Sequence, residues 1–253
     1  MDLLSLIKSQ DLVDFASNYE YQKNFMGQKL FAPKKTADLK LKIRQLMEGA
    51  DMPVMARVHS LDTEAHIGDR PNFEELKLEK LFIKEKINQT ERIAEFLNSN
   101  ASNDAVVSFV YDDLNNMMSR VITRTEVANM ELLGTGKVTV KENNITSEID
   151  YKIPASNKVN ISGWGDAAHD ILGDIKSVIT SAKAKGVTFA RAITSSTMLG
   201  YMMNNTAIKN IWAAKADILT ESRLVSWLND IFGIEFVTND EYYKTSANAT
   251  SAY

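Results

Sequence analysis

The chain has 253 residues, 44% hydrophobic and 25% charged, enough for one large core or two modest ones. A net charge of −4 and a pI near 5.5 exclude strong nucleic-acid binding through a globally basic surface. The absence of cysteine excludes disulfides and thiolate metal sites, and only four prolines and eleven glycines argue against low complexity or disorder.

The opening Met1-Asp2-Leu3-Leu4-Ser5-Leu6-Ile7-Lys8 lacks a basic lead, and its apolar run is too short for a signal peptide. No apolar stretch approaches bilayer length, and there is no internal repeat. Leu3, Leu4, Ile7, Leu12 and Phe15 predict a short amphipathic helix or arm, docked on the protein's own core or on a partner. The basic run from Lys34 to Arg44 could touch phosphate, but with Asp38 and Glu48 interrupting it, it reads as a solvated strand edge or an inter-subunit charge patch.

Leu39, Leu41 and Ile43 alternate like a strand, and residues 76–83 alternate again. Between them lie the apolar segment 52–58 and a polar stretch, 60–72, whose Gly68 and Pro71 suggest a loop or hairpin tip. Residues 33–88 thus form a long excursion of strand pieces with little core of its own, and such excursions are often functional. A neighbouring subunit could bury its apolar residues.

A short helix is expected over residues 89–98. The stretch from Ser102 to Leu133 is the strongest signal in the chain. Val106, Val110, Leu114, Met117, Val121, Ala128 and Leu132 recur at steps of three and four, with Thr125 filling the gap. Ser102, Asn103 and Asp104 offer caps, and Gly134 and Gly136 offer a stop. Such a helix is on the order of 45 Å long, against roughly three turns for an ordinary one. Two alternating runs follow, through Val138 and Val140 and then through Ile145, Ile149, Tyr151 and Ile153, with Glu142, Asn143 and Asn144 as the turn between them. They predict a β-hairpin hung on the end of the long helix.

Beyond a loop over residues 155–165, the texture changes. Ala167, Ile171, Ile175, Val178, Ile179 and Ala182 predict a helix over residues 166–185 closed by Gly186. Val187, Phe189 and Ala190 suggest a buried strand, and residues 195–203 suggest a helix ended by a polar break at Asn204-Asn205. Residues 220–232 predict a helix with Leu224, Val225, Trp227, Leu228 and Ile231 on its face and Gly233 at its end. Ile234, Phe236 and Val237 form a short strand. Residues 156–253 have the helix–strand rhythm of one α/β domain.

Few residues propose chemistry. His59, Asp62, Glu64 and His66 could ligate a metal, but their spacing matches no familiar zinc pattern. Asp166, His169 and Asp170 could form a dyad, yet acids at a helix start favour the dipole without it. Ser195 and Ser196 have no glycine elbow, and Gly134-Thr135-Gly136 is a helix stop, not a phosphate loop. Trp164, Trp212 and Trp227 read as core or interface anchors. No catalytic, cofactor-binding or metal site is assigned.

The order of parts resembles a tailed-phage major capsid protein of the lambda-type, phage capsid protein E, family. Four stretches carry the resemblance. Leu30-Phe31 comes with Pro33, Thr36 and Asp38. Gly68-Asp69-Arg70 and Phe73 lead to Ile83-Lys84 and Ile87. Glu131-Leu132-Leu133-Gly134-Thr135-Gly136-Lys137-Val138-Thr139-Val140 runs into Ile149-Asp150-Tyr151. Trp164 is followed by Asp166, Asp174-Ile175 and Gly186-Val187. The collinear series spans residues 30–237.

The resemblance implies an α+β chain with the Hong Kong 97-type capsid fold. Residues 1–32 would be the N-terminal arm, 33–88 the extended loop, 89–155 the peripheral domain with its spine helix, and 156–253 the axial domain. The family's C-terminal return strand would be absent. It also implies self-assembly as hexamers and pentamers into an icosahedral shell around double-stranded DNA, with no enzymatic activity. Partners would be other copies of the chain, scaffold, portal and decoration proteins, and DNA held without sequence specificity, with no membrane. The location would be the virion, and the host bacterial cytoplasm before assembly. Two other readings stand beside it: a non-viral nanocompartment shell of the same fold, and a cytoplasmic metal-dependent enzyme using His59, Asp62, Glu64 and His66.

Overall fold

The computed structural model describes residues 8–19, 25–34, 36–38, 40–46, 55, 73–80, 83–84, 103–142, 145–215 and 217–244. The expected helix at 89–98, the segment at 52–58, the loop tip at 60–72 and the group His59, Asp62, Glu64 and His66 lie outside these, apart from Met55. The chain is a mixed helix-and-strand protein, as the α+β reading expected.

The long helix is present as α3, Asn103–Thr135, with α1 (Ser9–Ser17) and α2 (Met26–Leu30) ahead of it in the chain. Its 33 residues make it about 50 Å long at the usual rise. Val106 and Val110 are buried on it. The predicted stripe needs one correction. Thr125 is exposed and turns its hydroxyl back to the Val121 carbonyl, while the neighbouring Glu126 is buried. An ideal helix drifts about 20° per heptad against a strict seven-residue repeat, so one face does not keep one set of positions over nine turns.

The hairpin follows at once. β3 (Lys137–Glu142) pairs antiparallel with β4 (Ile145–Asp150), Lys137 opposite Asp150 and Glu142 opposite Ile145. β1 (Lys40–Leu46) and β2 (Phe73–Glu79) form a separate two-stranded sheet. Along β2, Leu76 and Leu78 are buried while Glu75 and Lys77 are exposed, the period of two expected of a half-buried strand. These two leucines of the excursion find cover within their own chain.

The chain divides into two units, residues 1–41 with 78–152 and residues 42–77 with 153–253. The second holds α4 (Ile171–Ala184), β5 (Arg191–Thr194), α5 (Ser196–Asn204), α6 (Thr206–Ala214), α7 (Glu221–Phe232) and β6 (Glu235–Thr238). β5 and β6 pair in parallel, Arg191 opposite Glu235, so the three helices between them form the crossover a parallel pair requires. Ile171, Leu199, Met202, Ile208, Trp212, Leu224, Leu228, Ile234 and Phe236 form the core.

Three boundaries differ from expectation. α4 begins at Ile171, not Asp166, because Asp170 accepts the Gly173 amide and caps it, while residues 163–169 fold as turns. The strand begins at Arg191, with Val187 and Phe189 exposed. Gly186, at φ +80°, donates its amide to Lys183, and Val187 donates to Ala182, so both residues close α4 by the left-handed glycine motif. The break at Asn204-Asn205 is present but narrows to the single residue Asn205, because α6 starts at Thr206. On α7, Ile231 is exposed and Leu224 and Leu228 carry the burial.

Candidate functional site

Four places hold residues whose arrangement goes beyond ordinary packing. The first is the seat of the N-terminal arm on α3. Phe15 packs edge-on against Tyr111, ring centroids 5.1 Å apart. Farther along, the Glu126 carboxylate accepts the Gly27 amide at 2.6 Å and the Gln28 amide at 3.2 Å. Asn129 closes the notch: a Cβ on Gly27 would lie 2.7 Å from the Asn129 Cβ and 2.6 Å from Glu126 Oε2. A side chain there is excluded by space alone. The arm, which the sequence left open between its own core and a partner, packs on the α3 of its own chain.

The second is the corner between α3 and the hairpin. Gly136 takes φ +74° and donates its amide to the Leu132 carbonyl. Thr135 Oγ1 donates to the Glu131 carbonyl at 2.7 Å and accepts the Lys137 amide at 3.2 Å. The Glu131 carboxylate accepts the Thr139 amide at 3.0 Å, and Tyr151 donates to the Gly136 carbonyl. Glu131, Thr135, Gly136 and Thr139 of this series thus tie the end of the helix to the hairpin. On the hairpin, Lys137 lies 2.7 Å from Glu148 and 3.3 Å from Asp150, and these carboxylates, Glu148 foremost, raise its pKa above the ordinary lysine value.

The third is a polar cluster at the start of α4. His169 Nε2 lies 2.7 Å from Asp174 Oδ2, and the Trp164 indole donates to the same oxygen at 2.9 Å. His169 first and Trp164 second hold the Asp174 carboxyl below its ordinary pKa. The Asn205 amide group donates to the carbonyls of Ala167 and His169 at 3.1 and 2.7 Å. Its oxygen accepts the Ala207 and Ile208 amides. Asn205 is 2% exposed, and all four of its hydrogen-bonding capacities are used.

This settles where the expected dyad residues stand. His169 pairs with Asp174 rather than with Asp166 or Asp170. Asp166 accepts the Ala168 amide and Asp170 caps α4. No hydroxyl reaches the His169 ring among the described residues. Ser195 caps α5 through the Met198 amide, and Ser196 gives its hydroxyl and amide to Asp240, whose pKa is lowered chiefly by that hydroxyl. The His169–Asp174 pair ties a turn to a helix.

The fourth is an apolar cleft of about 620 Å³ lined by Ile161, Trp164, Ile179, Phe189, Met198 and Phe236 among others. Trp212 and Trp227 meet edge-on at 6.3 Å, with Lys215 Nζ over the Trp212 ring at 5.2 Å. Both are packed in or against the core, as expected of anchors. Among the described residues no group of three acids, histidines or cysteines is placed to hold a metal. No helix among them is long and apolar enough to cross a membrane.

Glu126 and Asn205 were not singled out by sequence. Glu126 follows Arg124 and Thr125 and precedes Val127 and Ala128, and Asn205 precedes Ile208 and Trp212, four apart. Both signals were present and weak.

Compared with known families, residues 55–253 match the family described as phage major capsid protein E. No curated protein matches the chain.

Proposed function

The chain belongs to the phage major capsid protein E family, and from that premise we propose that it is the shell subunit of a tailed-phage head, with the Hong Kong 97-type fold. In this reading it self-assembles as hexamers and pentamers into an icosahedral shell that encloses double-stranded DNA. Scaffold and portal proteins take part in assembly, first in the host bacterial cytoplasm and finally in the virion. It has no catalytic role. Residues 1–32 serve as the arm, 33–88 as the extended loop, 89–155 as the peripheral domain and 156–253 as the axial domain.

The observation that carries the reading is the family match, which covers most of the chain, and the geometry is consistent with it. A 33-residue helix locked at a fixed angle to a hairpin is a rigid strut on which neighbouring copies can register. The polar clusters hold turns to helices. Many modest contacts that close into a shell give collective stability that no single contact supplies.

Electron microscopy of the purified protein, alone and co-expressed with a scaffold, tests this. Hollow icosahedral particles are expected. A chain that stays monomeric under every assembly condition would overturn the reading, and particles filled with protein rather than DNA in infected cells would move it to a nanocompartment.

A further inference from the structure

The β5–β6 sheet guards one edge and leaves the other open. Glu235 donates its amide to Ala190 and Asn239 donates to Thr194, so Glu235, Val237 and Asn239 aim at β5, and Ala192 and Thr194 aim back at β6. The alternate backbone groups point outwards, those of Phe236 from β6 and those of Arg191 and Ile193 from β5. On the β6 side the Phe236 amide is taken by Asn229 Oδ1 at 2.8 Å. On the β5 side no described residue bonds to the outward amides and carbonyls of Arg191 and Ile193.

The open edge borders the apolar cleft. Arg191 and Ile193 line it together with Ile175, Val178 and Ile179 of α4 and the exposed Phe189 and Met198. A strand edge beside a helix, with an apolar trough between them, suits an extended peptide. The edge supplies main-chain hydrogen bonds, and the trough takes alternate side chains. The volume of about 620 Å³ lies within the range of ligand clefts.

The chemistry of the edge narrows the guest. A lipid tail or a small apolar molecule would fill the trough and leave the outward donors and acceptors unanswered. Arg191 is the one charged residue of the lining, and its Nε lies 2.9 Å from Glu235 Oε2, so its charge is already met. A charged guest therefore gains nothing there. The described strands of another copy fit poorly, because apolar side chains they would insert are buried on their own chain: Leu76 and Leu78 on β2, and Val138 on β3.

We propose that the β5 edge and its cleft form a docking groove for an extended peptide segment of a different protein. The segment is uncharged, apolar at alternate positions, and adds as a strand beside β5. The inference goes beyond the shell reading and does not rest on it.

A library of short peptides with Val, Ile, Leu, Met or Phe at alternate positions, selected against the whole chain, tests it. Binders are labelled and titrated by fluorescence polarisation. Methylating the amides that face β5 is expected to weaken a binder roughly tenfold or more, while methylating the alternate amides changes affinity little. Ile193→Pro removes an outward N–H that the β5–β6 ladder does not use, and should weaken binding likewise, with Ile193→Val retaining it. A library without a binder, or binders indifferent to which amides are methylated, would overturn the proposal. Binding that fades as protein concentration rises would put a second copy in the groove and overturn the choice of guest. Should Ile193→Pro fail to fold, the methylation pattern on the wild type decides alone. Particle formation by the wild type bears on the shell reading only.

Discussion

The Gly27 amide donates to the Glu126 carboxylate at 2.6 Å, joining residues 99 positions apart. The contact needs both a bare Cα and an acid, because any Cβ on residue 27 would strike Glu126 and Asn129. Gly27→Ala is expected to cost about 1–3 kcal/mol at the joint, the usual range for overpacking. The cost falls at this joint, which lies apart from the core of the second unit. Trypsin cleavage after the exposed Lys29 should therefore accelerate roughly tenfold or more, about 1.4 kcal/mol per decade, with little change in Tm. A fall in Tm with unchanged cleavage would contradict this assignment of the cost.

Asn205→Ala removes four hydrogen bonds made by a side chain only 2% exposed. The His169 carbonyl and the first amides of α6 lose their side-chain partner, while the Ala167 carbonyl keeps the Thr206 amide, and a loss of roughly 1–3 kcal/mol is expected. Asn205→Asp should be no better, because a carboxylate cannot donate to the Ala167 and His169 carbonyls. Chemical denaturation measures both, and a change below about 0.5 kcal/mol would remove Asn205 from its keystone position.

Gly136 sits at φ +74°, where an L side chain is strained. Gly136→Ala should cost on the order of 1 kcal/mol, and Gly136→Val more, since a β-branched residue is a true outlier there. The shell reading makes a sharper demand. If the corner sets the angle of the strut, Gly136→Val should reduce correctly closed particles more than its Tm shift explains, visible as aberrant shells in micrographs.

Leu224 and Leu228 are fully buried one turn apart on α7. Either leucine replaced by alanine should cost about 2–5 kcal/mol, read as a lower denaturation midpoint at unchanged slope.

Asp174 has a depressed carboxyl pKa, with His169 and Trp164 as the causes in that order. Its contribution is therefore fully present above the ordinary value of 3.8 and is lost as pH falls through the lower folded value. The stability gap between wild type and Asp174→Asn should be constant at neutral pH and close only in acid below about pH 4. Lys137 behaves in the opposite sense. Its pKa is raised above 10.5, so the gap to Lys137→Met should persist below that pH and close as pH rises beyond it. Paired denaturation curves across both ranges check the two signs.

The parts read correctly from sequence are those whose signal repeats. The period of α3 recurs over many turns, and the hairpin alternates on both sides of its turn, so chance cannot imitate either. The parts missed depend on single residues with two meanings. Asn205 ends α5 and caps α6, and a polar pair at that point reads equally well as a loop. Val187 and Phe189 have the composition of a strand, but Gly186 commits the chain there to closing α4 before any strand can start. The polar cluster was half legible: His169 was noticed beside the wrong acids, because its partner lies one helical turn farther on. Glu126 is hidden by its surroundings, since an acid next to Arg124 and Thr125 reads as part of a solvated helix face, and only Gly27, 99 residues away, makes it otherwise.

Arg191 and Glu235, opposite one another in the β5–β6 pair, are 44 residues apart in the chain. During synthesis, therefore, β5 leaves the ribosome without its partner, and three helices must follow before the sheet can close. A loop of that length makes sheet closure a late event. In the proposed shell this order would act as a safeguard: an unfinished chain has no completed β5–β6 pair to offer a neighbour until translation has passed Thr238.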